Sequence, residues 1–288
     1  MNSEEYIEVS IFPEPFSEEA AEIIEAALAD LPYDAFVIGD NCLKAYIPKD
    51  LYDARMLKVV LEGMEWRTTF RAVLIPPANW NAAWESRFTP ISVGRSVTVK
   101  SPQHKGLPRS RFNITLLPQM AFGTGHHQTT YMMMESMLEH EDAIRGHAVL
   151  DMGCGTGVLA ILAAKMGASH VWGIDIDAVA ARSVYDNVAI NRLRRKVETY
   201  CGDASLLQMG KYDVILANIH RNIILQDLPT YVRSLRKGGL LLLSGFFDTD
   251  AAAILQGAQV QGLINYGQKE STAEDGSCWC CLVFQKPV

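Results

Sequence analysis

The chain of 288 residues is 49% hydrophobic and 20% charged, with a formal net charge of −7. Twelve prolines, 21 glycines and 6 cysteines are too few for a collagen, a low-complexity chain or a disulfide scaffold. No apolar run approaches the ~20 residues that a bilayer span needs, and the acidic opening MNSEEYIEVS lacks the basic and apolar regions of a signal peptide, so a cytoplasmic location is expected.

The first 78 residues predict the order β-α-β-β-α-β. Tyr6 to Ile11 alternates at period two, as a half-buried strand does. Ser17 is placed to cap a helix over Ala20 to Leu31, with Glu18 and Glu19 in its first turn. Ala35–Ile38 and Cys42–Ile47 form a hairpin around Gly39-Asp40-Asn41. A second helix runs from Asp53 to Gly63, with Met56, Val59, Val60 and Met64 on a stripe, and Thr68–Ile75 supplies the fourth strand. This order is that of a ferredoxin-like sandwich. The segment holds 15 acidic against 6 basic residues, whereas the remainder holds 18 against 20. An acidic face repels a nucleic-acid backbone and attracts basic proteins; the plainer reading is a solubilising surface.

Residues 79–111 read as a linker. Pro76-Pro77 breaks the pattern, and Trp80 and Trp84 at i, i+4 share one helical face. Arg95, Lys100, Lys105, Arg109 and Arg111 lie among Gly, Pro and Ser, which predicts exposed loop, with an RNA contact as the alternative.

From residue 112 onward strands alternate with helices. Strands are expected at Ala148–Asp151, Val171–Asp175, Val197–Cys201, Tyr212–Ala217, Gly239–Ser244 and Cys278–Gln285. Helices are expected at Tyr131–Leu138, Val158–Met166, Ala178–Asn191, Tyr231–Leu235 and Ala251–Gln259. Such alternation implies an α/β fold, a doubly wound parallel sheet with helices on both faces. Cys278 and Cys281 have C-x-x-C spacing, but the run CWCCLVF is apolar and β-prone, so a buried strand is expected rather than a metal or redox site.

The strongest chemical signal is Val149 to Gly157: a strand, a G-x-G-x-G turn, then a helix. Glycines let backbone approach a ligand without an intervening Cβ, and the turn falls at the carboxyl edge of the sheet, where open α/β folds bind ligands. Asp151, just before Gly153 and Gly155, would repel a pyrophosphate and suits a cationic ligand such as the amino group of an amino-acid moiety. Asp175 ends the next strand, where a carboxylate accepts both ribose hydroxyls; the bland reading is a helix cap. Asp203, after the third strand, either accepts from an adenine amino group or forms a plain turn. Asn218 follows the fourth strand. Together these residues describe an S-adenosylmethionine site. Upstream, Phe122-Gly123-Thr124-Gly125-His126-His127-Gln128-Thr129-Thr130 forms a turn whose threonines can cap the next helix. Its adjacent histidines point apart and lack an acid at ligand spacing, so no metal is expected. The run Met132-Met133-Met134 reads as core.

These segments resemble the PrmA family of ribosomal-protein methyltransferases over nearly the whole chain. The family's F-G-T-G-T-H-P-T-T matches Phe122 to Thr130, with His126 in place of Thr and Gln128 in place of Pro. Its D-x-G-C/T-G-S/T-G-x-L matches Asp151 to Leu159, its G-I/V-D-I-D matches Gly173 to Asp177, and its A-N-I matches Ala217-Asn218-Ile219. The resemblance implies a class I S-adenosylmethionine-dependent methyltransferase behind an N-terminal recognition domain. It implies cofactor contacts from Thr130, Gly153, Asp175 and Asn218. The implied substrate is the large-subunit ribosomal protein numbered eleven, methylated on lysine ε-amines and its N-terminal α-amine. That reaction is in-line displacement by a neutral amine, which needs alignment, desolvation and a route for a proton but no metal or dedicated nucleophile. No general base is singled out; Asn218 and nearby carbonyls are the candidates for orienting the amine. The acidic residues 1–78 then serve to dock a basic ribosomal protein, and a monomer is expected because no apolar face is left over.

Two other classes compete. Methyltransferases acting on exocyclic base amines usually carry N-P-P-Y/F after the fourth strand, and Asn218-Ile219-His220-Arg221 has no aromatic to stack a base. The basic run Arg192, Arg194, Arg195, Lys196 keeps RNA base methylation as an alternative. The other is a non-catalytic module that binds S-adenosylmethionine.

Overall fold

The computed structural model describes residues 5–28, 31–39, 41–64, 66–75, 88–108, 110–117, 125, 127–273 and 276–288. The chain divides into two compact units, Met1–Ala83 and Trp84–Val288. Trp80 and Trp84 lie outside the described residues.

The first unit contains β1 (Tyr6–Glu14), α1 (Glu18–Leu28), β2 (Ala35–Ile38), β3 (Leu43–Pro48), α2 (Ala54–Glu62) and β4 (Arg67–Ile75). Its antiparallel sheet has the order β2-β3-β1-β4, the ferredoxin-like arrangement. Period-two alternation on β1 buries Ile7, Val9 and Ile11 against Leu43, Ala45 and the two helices. The Ser17 hydroxyl accepts from the Ala20 amide at 3.1 Å and starts α1. Asp53 does the same for α2, accepting from the Arg55 amide at 2.8 Å. The expected stripe on α2 is rotated. Met56 and Val59 are exposed, and Leu57 and Leu61 fill the core with Val60 and Met64 at its margin. The helix has two apolar faces, and the i, i+4 leucine pair is the one that meets the sheet.

The second unit opens with a difference from expectation. Residues 91–115 form β5 (Ile91–Val93), β6 (Val97–Lys100) and β7 (Phe112–Thr115), a small sheet rather than a linker. Val93, Val97, Val99, Phe112 and Ile114 are buried in the unit's own core, and Arg111 pairs with Glu141. Basic residues flank these short apolar runs, and that flanking charge made the stretch read as loop. Then come α3 (Gln128–Glu139), α4 (Glu141–Ile144), β8 (Ala148–Met152), α5 (Val158–Met166), β9 (His170–Asp175), α6 (Ala178–Ile190), β10 (Val197–Cys201) and β11 (Tyr212–Asn218). They are followed by α7 (Arg221–Ser234), β12 (Leu235–Phe247), α8 (Asp248–Val260), β13 (Ile264–Thr272) and β14 (Cys278–Gln285).

The main sheet has the order β10-β9-β8-β11-β12-β14-β13. Its first five strands are parallel, and at one side β14 pairs antiparallel with both β12 and β13, so that β13 runs in the direction of the five. Along β11, Val214 and Leu216 enter one apolar core and Ile215 and Ala217 the other, so the sheet is covered on both faces. On β14, Cys281 and Val283 face one core while Cys280, Leu282 and Phe284 face the other. β13 was not legible because INYGQKEST is a polar edge strand with alternate residues in solvent. Helix α7 is longer than expected. Pro229 lies inside it and removes one amide donor, yet Ile224, Leu228 and Tyr231, buried on both sides of that break, hold the helix to the sheet.

Candidate functional site

Parallel strands β10, β9, β8, β11 and β12 bring their carboxyl ends to one edge. The chain leaves β8 in one direction to β9 and in the other to β11, so a crevice opens above the point where strand order reverses. Asp151, Asp175, Cys201, Asn218 and Ser244 all fall at or near that edge.

The turn after β8 is held by its own backbone. Gly153 and Cys154 donate to the Ile174 carbonyl at 2.8 and 3.1 Å, and Gly157 donates to the Cys154 carbonyl at 2.7 Å. Gly153, Gly155 and Gly157 have φ of 69°, 53° and 78°, the left-handed region that excludes most side chains. Behind the turn, buried Asn187 on α6 ties two segments together. Its amide nitrogen donates to the Thr156 carbonyl at 2.9 Å, and its oxygen accepts from the Leu117 amide at 2.7 Å.

Asp175 sits beside this turn. One carboxylate oxygen accepts from the Gly155 amide at 2.8 Å and the other from the Asp177 amide at 3.0 Å. A carboxylate offers about four acceptor sites, so each oxygen keeps capacity for a vicinal diol. The helix-cap role falls instead to Asp177, which accepts from the Val179 amide at 2.8 Å. Asp151 lies beneath the turn, 1% exposed. One of its oxygens accepts from the Ala160 amide at 2.9 Å, and the other is buried with no partner among the described residues. Burial pushes its carboxyl up to about 7, the Ala160 bond pulls against this, and nearby Asp175 adds a smaller push. Burial likewise raises the Cys154 thiol well above the usual range.

Asp203 is exposed and caps a short turn over Ala204–Leu206, accepting from the Ser205 amide at 2.8 Å. Hydrogen bonding from Ser205 holds its carboxyl below the usual range. It also lines a cleft of about 600 Å³ together with Ile176, Ala204 and the face of α7 that carries Ile223 and Asp227. Ile176 had no assigned role. It lies between Asp175 and Asp177 and is 77% exposed, an apolar side chain available to a flat ring beside Asp203. An apolar residue between two acids at a strand end was the signal for it.

Thr130 and Asn218 come from segments 88 residues apart and meet here: the Asn218 amide nitrogen donates to the Thr130 hydroxyl at 3.1 Å. Among the described residues, the Asn218 oxygen is buried without a partner. Thr130 is in the first turn of α3, whose cap is His127 rather than a threonine. The His127 Nδ1 lies 2.8 Å from the Thr129 hydroxyl, its ring packs edge-on to Trp279 at 4.5 Å, and burial lowers its pKa, which suits the neutral acceptor. Met132, Met133 and Met134 are buried in the core. Residues 118–124 and His126 lie outside the described residues, so most of the upstream glycine segment does too.

The arrangement suits a cationic nucleoside. Left-handed glycines shape the turn at the sheet edge, Asp175 has diol-accepting capacity, Asn218 has an unused buried acceptor among the described residues, and acidic residues at the edge favour positive charge.

The pattern of the family described as ribosomal protein L11 methyltransferase (PrmA) matches residues 11–287. A ribosomal protein L11 methyltransferase of Porphyromonas gingivalis is 42% identical over 253 residues, 85% of this chain and 86% of that protein. One from Phocaeicola vulgatus is 37% identical over 275 residues, 93% and 97% of the two chains. Among solved structures, the ribosomal protein L11 methylase of Lactobacillus delbrueckii subsp. bulgaricus is similar with a TM-score of 0.61 at 25% identity, covering 70% of this chain and 100% of that one.

Proposed function

From its membership of the ribosomal protein L11 methyltransferase family, to which this chain belongs, we infer that it transfers methyl groups from S-adenosylmethionine to lysine ε-amines and the N-terminal α-amine of large-subunit ribosomal protein L11. Its second unit has the class I methyltransferase fold. When bound, S-adenosylmethionine supplies an electrophilic sulfonium methyl, whose carbon–sulfur bond breaks as the amine's carbon–nitrogen bond forms.

The chain's residues then divide the work. Asp175 accepts the ribose hydroxyls, and the turn at Gly153 and Gly155 admits the amino-acid end. Asp203 and Ile176 flank the base. Asp151 supports the turn from beneath, where its buried carboxyl accepts from the Ala160 amide at the start of the following helix. Thr130 fixes the Asn218 carboxamide so that its oxygen accepts an N–H from the incoming amine and aims the nitrogen lone pair. A lysine must arrive neutral, and excluding water at this edge favours the neutral form.

The buried, unpartnered Asn218 oxygen beside Thr130 carries the reading of this edge as the amine site, because an orphaned acceptor costs about 1–3 kcal/mol unless a ligand satisfies it. The acidic first unit docks the basic ribosomal protein. The enzyme acts as a cytoplasmic monomer, and ribosomal RNA has at most a contact role beside the protein substrate.

Methyl-labelled donor incubated with separated ribosomal proteins and ribosomal RNA tests this. Label is expected in L11 alone, and a chain lacking residues 1–78 is expected to bind donor while losing L11 methylation ~100-fold. Label in RNA, or in neither fraction, would overturn the assignment.

A further inference from the structure

We infer that Ile219 is a positioning residue whose β-branched side chain, wedged against Gly153, locks the glycine turn in register with the Asn218 carboxamide. This rests on the functional reading above and assigns a role that neither the glycine turn nor Asn218 fills.

Two glycines press close on this one residue, one at its side chain and one at its main chain. A Cβ built on Gly153 would stand 2.2 Å from the Ile219 Cγ2, far inside contact distance. A Cβ built on Gly245, which has φ of 95°, would stand 2.5 Å from the Ile219 carbonyl oxygen and 2.8 Å from its nitrogen. The Ile219 amide is also fixed, donating to the Ser244 carbonyl at 3.1 Å. The main chain of residue 219 is therefore seated on β12 while its side chain seats the turn after β8. Asn218 is the residue immediately before it. Any shift of Ile219 moves the carboxamide and the glycine turn relative to each other, and with them the methyl-accepting amine relative to the donor.

The chemistry of the side chain suits the task. Isoleucine is β-branched and restricted at χ1, so it transmits position more than it absorbs it. The glycine at 153 lacks a Cβ because that space belongs to Ile219, whether or not a ligand is present. The contacting atom is Cγ2, a methyl that valine keeps and leucine lacks. Leucine keeps the full apolar volume instead. A residue that merely fills the core tolerates leucine at least as well as valine; a wedge built on Cγ2 does the reverse.

The test compares Ile219→Val and Ile219→Leu in the full chain. Three readouts are taken: calorimetric affinity for S-adenosylhomocysteine, kcat on L11, and the backbone amide shift of Gly153 by NMR. Ile219→Val is expected to keep the wild-type Gly153 shift with affinity and kcat within about threefold, while Ile219→Leu moves the shift and loses ~10-fold or more in kcat, as small misplacements of reacting groups do. A leucine variant equal to or better than the valine variant overturns the proposal. Should Ile219→Leu not fold, Ile219→Ala decides: it removes Cγ2 and is expected to move the Gly153 amide shift and lower kcat ~10-fold, and an unmoved shift with kcat within about threefold overturns the wedge. Absence of S-adenosylhomocysteine binding by the wild-type protein would instead sink the functional reading on which this rests.

Discussion

Glu8 in the first unit and Asp151 in the second both sit on strands central to their sheets, yet they are treated differently. Glu8 accepts from Lys44 at 3.2 Å and from Tyr46 at 3.0 Å on the solvent side of its sheet. Asp151 is enclosed, with one backbone donor and one oxygen left without a partner. The contrast extends beyond these two. Among the described residues, no side-chain nitrogen or oxygen buried in the first unit lacks a partner, and no glycine there has a positive φ. At the carboxyl edge of the second unit, Gly153, Gly155, Gly157 and Gly245 are left-handed, and Asp151 and Asn218 keep orphaned oxygens. Left-handed glycines occur at turns elsewhere in the second unit, but only at this edge do they stand beside two orphaned buried oxygens among the described residues.

The sharpest way to break that contrast is at Asp175. Replacing it by alanine removes the acceptor for the Gly155 amide as well as for a ribose diol. The affinity for S-adenosylhomocysteine is expected to fall by about 100-fold or more, the equivalent of ~2.7 kcal/mol. Titration calorimetry checks it, and an affinity within tenfold of wild type would remove Asp175 from the site.

Next in size is a core change in the other unit. Val9 is fully buried, and Val9→Ala is expected to cost about 2 kcal/mol of the first unit's stability through lost burial and the residual cavity. Urea unfolding should show that transition move while donor affinity stays within about twofold. A parallel loss of affinity would mean that the two regions do not divide their roles in this way.

The effect that is smallest per step is read in pH. Asp151 titrates near 7 when folded and near ~3.9 when unfolded, so the folded state binds the proton more tightly. The stabilisation from this group is complete below the unfolded value and is lost as pH rises toward the folded one. Between pH 5 and 7 the second unit should lose up to ~1.4 kcal/mol per pH unit relative to Asp151→Asn. Parallel stability curves for the two proteins would show that the carboxyl carries no such proton.

Much of this was legible from the chain. The strand–turn–helix at Val149 to Val158, the acid at 175 and the polar residue at 218 are local in sequence, and their shared sheet edge follows from βαβ connectivity. What stayed hidden depends on contacts distant in sequence. Nothing near Thr130 foretells its bond to Asn218, and nothing near Ile219 foretells Gly153 and Gly245 on either side of it. The strands at 91–115 were masked by flanking charge, β13 by its polar edge, and the first turns of α7 by Pro229. The α2 face went astray because its sequence supports two apolar stripes and only the sheet beneath chooses between them.

The seating of α3 carries one more consequence. His127 leans on Trp279, and Met133 and Ser136 meet Cys281, so the helix that presents Thr130 rests on β14. A nascent chain acquires the glycine turn, Asp175 and Asn218 well before that last strand leaves the translation machinery. Until β14 slots between β12 and β13, the helix that presents Thr130 has β12 beneath it but lacks its contacts to Trp279 and Cys281. A truncated product of interrupted synthesis thus carries every signature residue but seats the threonine, and through it the carboxamide, incompletely.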